Sequence, residues 1–166
     1  FAFLLGMGAG KSLTTLARLS QIPDLHRVLI VCPLSVTGVW PRELATHTTG
    51  EGFSVTVLDG PVKRRAEQAR AAFSRRYQHE PPHTAILVTN YDAVWREPLA
   101  TVLLNTQWDA VVADEMHRLK APGGRASRVL SRIADRSRYR LGLTGTPMPH
   151  SPLDVYAQYR FVDKRV

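Results

Sequence analysis

Two short stretches hold residues whose types and spacing can do chemistry. The first is "GMGAGKS", Gly6 to Ser12. The full phosphate-loop pattern G-x-x-x-x-G-K-[ST] would put a glycine where this chain has Leu5. The other features of such a loop are present. Gly8 and Gly10 permit backbone conformations that a Cβ would hinder. Successive backbone N–H groups at a helix N-terminus can curl around phosphate oxygens. Lys11 can reach the β- and γ-phosphates of a nucleotide, and Ser12 can offer its hydroxyl to Mg²⁺. A glycine-rich strand-to-helix turn without a ligand would read the same way over so short a stretch.

The second stretch is "WDAVVADEMH", an apolar run ending in Asp114 and Glu115. Mg²⁺ keeps several waters and takes one or two carboxylates, which suits Asp114. Glu115 could orient or deprotonate an attacking water. A third stretch, "LGLTGTP", places Thr144 and Thr146 around a glycine, where their hydroxyls could sense a terminal phosphate. Turns also use these residues, so this stretch means little alone.

These residues need elements to position them. Apolar β-branched runs alternate with helix-like stretches along the chain. "FAFLL", "RVLIVCP", "FSVTVLDG", "TAILVTN", "DAVVADE" and "YRLGLTGTP" read as strands. "FSVTVLDG" alternates apolar and polar residues and is expected near a sheet edge. "KSLTTLARLS", "TGVWPRELATH", "PVKRRAEQARAAFSRRY", "GGRASRVLSRIAD" and "SPLDVYAQYRFV" read as helices. Strands alternating with helices predict parallel βαβ units, hence an α/β fold with helices on both faces. Ligands in such folds sit at the carboxyl ends of the strands, and every motif above falls at one.

Composition sets the class. The 166 residues are 44% apolar and 22% charged, in the globular range. They read as one domain with a sizeable core. No run is long enough to span a membrane, and "FAFLLGMGAG" lacks the flanks of a signal peptide. The chain opens on Phe1, so a fragment of a longer protein is expected. Cys32, the single cysteine, lies in an apolar run and is expected in the core. A reducing, intracellular setting follows, with a bacterial or phage-infected cytoplasm as the expected location. The net charge of +8 points to a polyanionic partner such as nucleic acid, although an arginine-rich, alanine-rich composition also accompanies GC-rich genomes.

Together these stretches resemble one family. "MGAGKS", "VLIVCPLSVTGVWPRE", "ILVTNYDAV", "WDAVVADEMHRLK" and "LGLTGTPMPHSPLDVYAQYRFVD" stand in the order of the first RecA-like domain of superfamily-two helicases, nearest the Swi/Snf-type, DEAD/DEAH-like branch. In that branch the loop often reads M-G-x-G-K-[ST], so Leu5 in place of glycine is a family habit. The resemblance implies a RecA-like P-loop fold over residues 1–166 that binds and hydrolyses ATP with Mg²⁺. Its implied partners are nucleic acid, expected to be double-stranded DNA, and a second RecA-like domain that carries the arginine fingers. It implies that Gly8, Ala9, Gly10, Lys11 and Ser12 hold the phosphates. Asp114 and Glu115 become the metal-binding and water-activating pair of a D-E-x-H box. His117 would couple that box to Thr144 and Thr146. Ser35, Thr37, Gly60, Thr89 and Asn90 fall in loops that contact the nucleic-acid backbone in the family, where contacts to phosphates carry no sequence information. Met116 replaces the usual alanine of the box, and His150 replaces an asparagine after T-G-T-P.

Other residues admit plainer readings. His26, His47, His79 and His83 show no metal-ligand spacing and are expected at the surface. Trp40 and Trp108 are expected in the core or at its rim. Arg125, Arg128, Arg132 and Arg136 recur at helical spacing opposite Val129, Leu130 and Ile133. That stripe is either a solvated face, a phosphate-tracking surface or an inter-domain contact, as are Lys63, Arg64, Arg65, Arg75 and Arg76. Two other functions fit parts of the pattern: a catalytically silent nucleic-acid-binding scaffold, and an unrelated P-loop kinase for a small molecule.

Overall fold

The structure is a computed structural model that describes residues 1–6, 8–47, 52–74, 84–119, 123–146 and 153–165. Six strands form one sheet: β1 (Ala2–Leu4), β2 (Arg27–Cys32), β3 (Phe53–Val57), β4 (Thr84–Asn90), β5 (Ala110–Asp114) and β6 (Tyr139–Thr144). Their spatial order is β1-β6-β5-β2-β4-β3, and every pairing is parallel. The expected α/β class and the edge position of β3 both hold. Because all strands run one way, all their carboxyl ends share one edge of the sheet.

β2, β4 and β5 are buried almost throughout, as parallel strands covered on both faces must be. Alternate residues feed two cores. Leu29 and Val31 point into one, and Val28, Ile30 and Cys32 into the other. Helices α1 (Lys11–Ser20) and α2 (Val39–His47) cover the second core through Leu16, Leu19, Trp40 and Leu44. Helices α3 (Val62–Ser74), α4 (Leu99–Asn105), α5 (Arg125–Ala134) and α6 (Leu153–Val162) cover the first through Ala66, Leu103, Leu130 and Phe161. Trp40 and Trp108 are fully buried; Phe73 meets Trp108 edge-on at 5.5 Å. Cys32 is buried too, its thiol donating weakly to the Thr89 carbonyl, and burial pushes its pKa up to about 12.

α4 has no counterpart in the sequence pattern. It is only seven residues long, and Leu99, Ala100, Val102 and Leu103 are all buried, so no apolar period is visible. The helix expected from Thr37 begins at Val39, after a 3₁₀ turn over Leu34–Val36. Arg75, Arg76, His79, His83 and His150 lie outside the described residues.

Met116 explains a glycine in β6. It is 1% exposed, and a Cβ on Gly142 would lie 2.2 Å from its Sδ. The bulkier box residue therefore demands the smallest residue on the neighbouring strand. Gly142→Ala is expected to destabilise the chain by about 1–3 kcal/mol, the usual range for overpacking. The same change in a Met116→Ala background is expected to cost little. A double-mutant cycle by chemical denaturation reads this coupling. Equal costs in both backgrounds would show that Met116 moves aside freely.

Candidate functional site

The site begins where β1 ends. After Leu4 the chain enters the glycine-rich loop, in which Gly8 and Gly10 both have φ of 75°. Left-handed backbone of this kind costs a residue with a Cβ energy that glycine does not incur. Gly10 is the N-cap of α1, and its carbonyl accepts the first helical bond, from Thr14 N at 2.9 Å. Lys11 and Ser12 are thus the first two residues of α1, both half-buried. Ala9 N donates to Gly6 O at 3.3 Å, closing the turn. The Lys11 ammonium donates to the carbonyls of Leu5 and Gly6, each at 3.2 Å.

β5 delivers the acidic pair. Asp114 ends the strand and is buried, at 8% exposure. Glu115 follows with φ of 51°, an uncommon conformation for a residue with a side chain. This sharp turn sends the Glu115 carboxylate back over the sheet edge. Its Oε1 lies 3.7 Å from Lys11 Nζ and its Oε2 lies 3.3 Å from His117 Nδ1. His117 Nδ1 is in turn 3.1 Å from Thr144 Oγ1 and 3.4 Å from Thr146 Oγ1. Thr146 N donates to Thr144 Oγ1 at 3.1 Å. Lys11, Glu115, His117, Thr144 and Thr146 therefore form one polar chain across the carboxyl ends of β1, β5 and β6.

Asp114 sits behind that chain. Burial is the main cause that raises its pKa from 3.8 to about 6, and the Glu115 charge adds to it. The Glu115 backbone N–H, the Lys11 charge and the Trp40 indole N–H oppose the rise. Trp40 Nε1 is buried and makes no hydrogen bond of strict geometry, so its help is electrostatic in the main. The fully buried Tyr91 hydroxyl donates to the Asp114 backbone carbonyl at 2.8 Å, tying the end of β4 to the end of β5. The sequence patterns pass over both aromatic residues, because each reads as ordinary apolar core.

The loops after β2 and β3 and the last two residues of β4 hold the residues expected at nucleic acid. Ser35 and Gly60 are exposed and Thr37 is half-buried, its hydroxyl donating to Leu34 O at 2.9 Å. Thr89 is fully buried with its hydroxyl unpartnered, and Asn90 is 5% exposed. Asn90 Oδ1 accepts from Arg65 Nη1 at 3.2 Å and from Ala93 N at 3.1 Å. Arg65 also donates to Gly60 O at 2.8 Å. Gly60, Arg65, Asn90, Asp92 and Arg96 line a pocket of about 260 Å³. Arg65 thus stands where sequence reasoning put Asn90. Its place five residues past Gly60, on the first turn of α3, is the signal that could have singled it out.

Comparison with known proteins fits this arrangement. A family model described as SNF2-related domain matches residues 5–166. The chain belongs to the SNF2-related family. A solved Sulfolobus solfataricus SWI2/SNF2 ATPase core in complex with dsDNA superposes with a TM-score of 0.73 at 26% identity. It matches 98% of this chain, which covers 31% of that one. Putative protein p41 of Acyrthosiphon pisum secondary endosymbiont phage 1 is 30% identical over 96% of this chain and 34% of its own length. Protein CHROMATIN REMODELING 19 of Arabidopsis thaliana is 32% identical over 94% of this chain and 21% of its own. The chain therefore spans about a third or less of these SNF2-family relatives. Its RecA-like fold and its Swi/Snf-type helicase character follow from the match. No helix among the described residues is long and apolar enough to cross a membrane.

The Asp114 shift has a consequence for stability. A carboxyl whose pKa rises on folding binds its proton more tightly in the folded state, so its contribution to stability falls as pH rises from about 4 to about 6. Above that range the buried charge costs up to roughly 3 kcal/mol. In buffer free of magnesium and nucleotide, Asp114→Asn is expected to melt higher than wild type near neutral pH, with the gap closing as pH falls through this window. Melting curves at a series of pH values read it. A gap that stays constant across the window would show that Asp114 is not desolvated in this way.

Proposed function

We propose that this chain is the ATP-binding and hydrolysing domain of a translocase or remodeller that works on double-stranded DNA. The observation that carries the reading is the polar chain from Lys11 through Glu115 and His117 to Thr144 and Thr146, built from three separate strand ends. A chance glycine-rich turn has no reason to meet an acidic strand end and a threonine turn at one point. The small-molecule kinase reading lacks any support from the family match.

The residues present suit ATP with Mg²⁺. Among the described residues no group of three metal-ligating side chains occurs, so a resident ion held by protein alone is not indicated. Ser12 and Asp114 instead offer one hydroxyl and one carboxylate, as expected of an ion that arrives with phosphates and keeps its waters. Mg²⁺ would neutralise charge on the phosphate oxygens. Gly8, Ala9 and Gly10 would present backbone amides to the phosphates. Lys11 would exchange the Leu5 and Gly6 carbonyls for phosphate oxygens. Glu115 would hold the attacking water and accept its proton. His117, between Glu115 and the two threonines, would report the state of the site to the turn after β6.

Cations that stabilise transferred charge would come from a second RecA-like domain of the same polypeptide. An arginine finger is worth on the order of 10³-fold or more in rate, and this reading assigns none to residues 1–166. Ser35, Thr37 and Gly60 would meet backbone phosphates, with Thr89 and Asn90 supporting from beneath and Arg65 reaching out. That the SWI2/SNF2 neighbour is in complex with dsDNA supports duplex DNA as the partner.

Two substitutions in the full-length protein test the roles. Lys11→Ala is expected to weaken ATP binding by about 1.5–3 kcal/mol, roughly ten- to a hundred-fold, the value of a hydrogen bond to a charged group. Unchanged affinity by calorimetry would sink the loop assignment. Glu115→Gln is expected to keep ATP bound while lowering turnover by about 10²–10⁴-fold, since an amide cannot accept the water's proton. A wild-type rate in that variant would remove Glu115 as the base. A wild type that binds ATP but never turns it over, with or without DNA, would favour a silent scaffold.

A further inference from the structure

The arginine stripe of α5 is not absorbed by the nucleotide site. Arg125, Arg128 and Arg132 are all exposed and lie on one face, along about 10 Å of helix axis. Arg136 continues the row in the turn that ends α5, anchored by a bond from Nη1 to Leu104 O at 2.9 Å. The apolar face opposite is fully used, with Leu130 and Ile133 in the core. Among the described residues none of the four arginines has a carboxylate within 4.0 Å. The nearest acid in sequence, Asp135, is already held by Arg140 at 3.2 Å and Arg160 at 3.3 Å. A row of unneutralised guanidinium groups repels itself, so it calls for an outside anion.

Two features say which kind. The row joins the pocket behind Gly60. Arg125 lies 4.8 Å over the Trp95 ring, and Arg96, which lines that pocket, lies 5.1 Å over the same ring. Guanidinium stacking of this sort positions both side chains, and Arg96, whose Nε donates to the Asp92 carbonyl at 2.9 Å, keeps its Nη groups for other oxygens. At its other end, Arg132 and Arg136 line a cleft of about 400 Å³ between α4 and α5, where Thr101 and Asn105 add neutral hydrogen-bonding groups and Asp135 is the one acid, neutralised by Arg140 and Arg160. A regular series of bidentate donors with hydroxyl and amide groups beside it matches a repeating phosphate backbone. An acidic protein segment would want exposed apolar anchors as well, and this face offers only the covered Trp95 ring and the half-buried Leu104 of that cleft.

We propose that the arginine face of α5 is a second backbone-phosphate contact for duplex DNA, continuous through the Trp95 stack with the pocket formed by Gly60, Arg65 and Arg96. This rests on the DNA reading given above. The face lies on the side of the sheet covered by α3 and α4, whereas Lys11 opens α1 on the other side. DNA held here would widen the footprint without touching the nucleotide.

The test is duplex binding by the full-length protein, followed by fluorescence anisotropy between about 50 and 200 mM salt. Arg128→Glu with Arg132→Glu is expected to weaken binding roughly ten-fold or more and to make the slope of log affinity against log salt shallower by about 1.8, two phosphates at about 0.9 each. ATP affinity is expected to stay at the wild-type value, which also shows that the variant folds. Arg128→Lys with Arg132→Lys is expected to keep the slope, because charge is retained. Wild-type affinity and slope in the double reversal would overturn the proposal while leaving the DNA reading intact. So would loss of polyglutamate binding with duplex binding unchanged, which would make the face a docking site for acidic protein. A wild type that fails to bind duplex at all would remove both.

Discussion

The contact between the Lys11 ammonium and the Glu115 carboxylate joins residues more than a hundred positions apart, and the rest of the site is arranged around it. It exists because of strand order. β1 pairs with β6 and β6 with β5, so the loop after β1, the turn after β6 and the box after β5 end side by side. All three strands are parallel, which puts the three loops on the same edge. An antiparallel β6 would carry Thr144 and Thr146 to the far side of the molecule. The contact also sets electrostatic terms for its neighbours. Lys11 offsets part of the charge repulsion that Glu115 imposes on the buried Asp114.

The same strand order divides the edge into two halves. β1, β6 and β5 end in the glycine-rich loop, the threonine turn and the acidic pair. β2 and β3 end in the loops that hold Ser35 and Gly60, and β4 ends on Asn90 itself. The halves meet between β5 and β2, where the direction of winding reverses, the place at which open α/β sheets bind ligands. Consecutive residues bridge them. Asn90 holds Arg65 on one side, and Tyr91 bonds the Asp114 carbonyl on the other. A shift of the β4 end therefore reaches both the arginine pocket and the end of β5 at Asp114. Glu115 in left-handed backbone and Asp114 stripped of water are local costs of order 1–3 kcal/mol each, and such costs gather at functional sites.

Much of this was legible in the sequence because its signals were long or chemically specific. The unbroken apolar runs of β2, β4 and β5 could only be covered strands, and the polar alternation in "FSVTV" put β3 at the edge. The coupling of the D-E-x-H box to the T-G-T turn through His117 was expected from the family resemblance, and spacing alone did not give it. What escaped was either short or depended on contact. α4 is only seven residues long, too short for its buried Leu99, Ala100, Val102 and Leu103 to show a clear period. The family resemblance put Thr89 and Asn90 in a loop at nucleic acid, yet they end a central strand and lie inside. Arg65 looked like one basic residue among several until Gly60 and Asn90 were seen to hold it. The link between Met116 and Gly142 required knowing that β5 and β6 are neighbours.

The central claim is that the glycine-rich loop and the acidic strand end form one nucleotide site, with Lys11 resting on its own loop carbonyls until phosphate replaces them. A crystal structure of the protein with Mg²⁺ and a non-hydrolysable ATP analogue tests it most directly. The expected result has Lys11 Nζ moved from the Leu5 and Gly6 carbonyls onto phosphate oxygens, with Ser12 and Asp114 facing the ion and Glu115 facing the terminal phosphate. Nucleotide bound elsewhere, or bound here with Lys11 still on those carbonyls and Glu115 turned away, would contradict it.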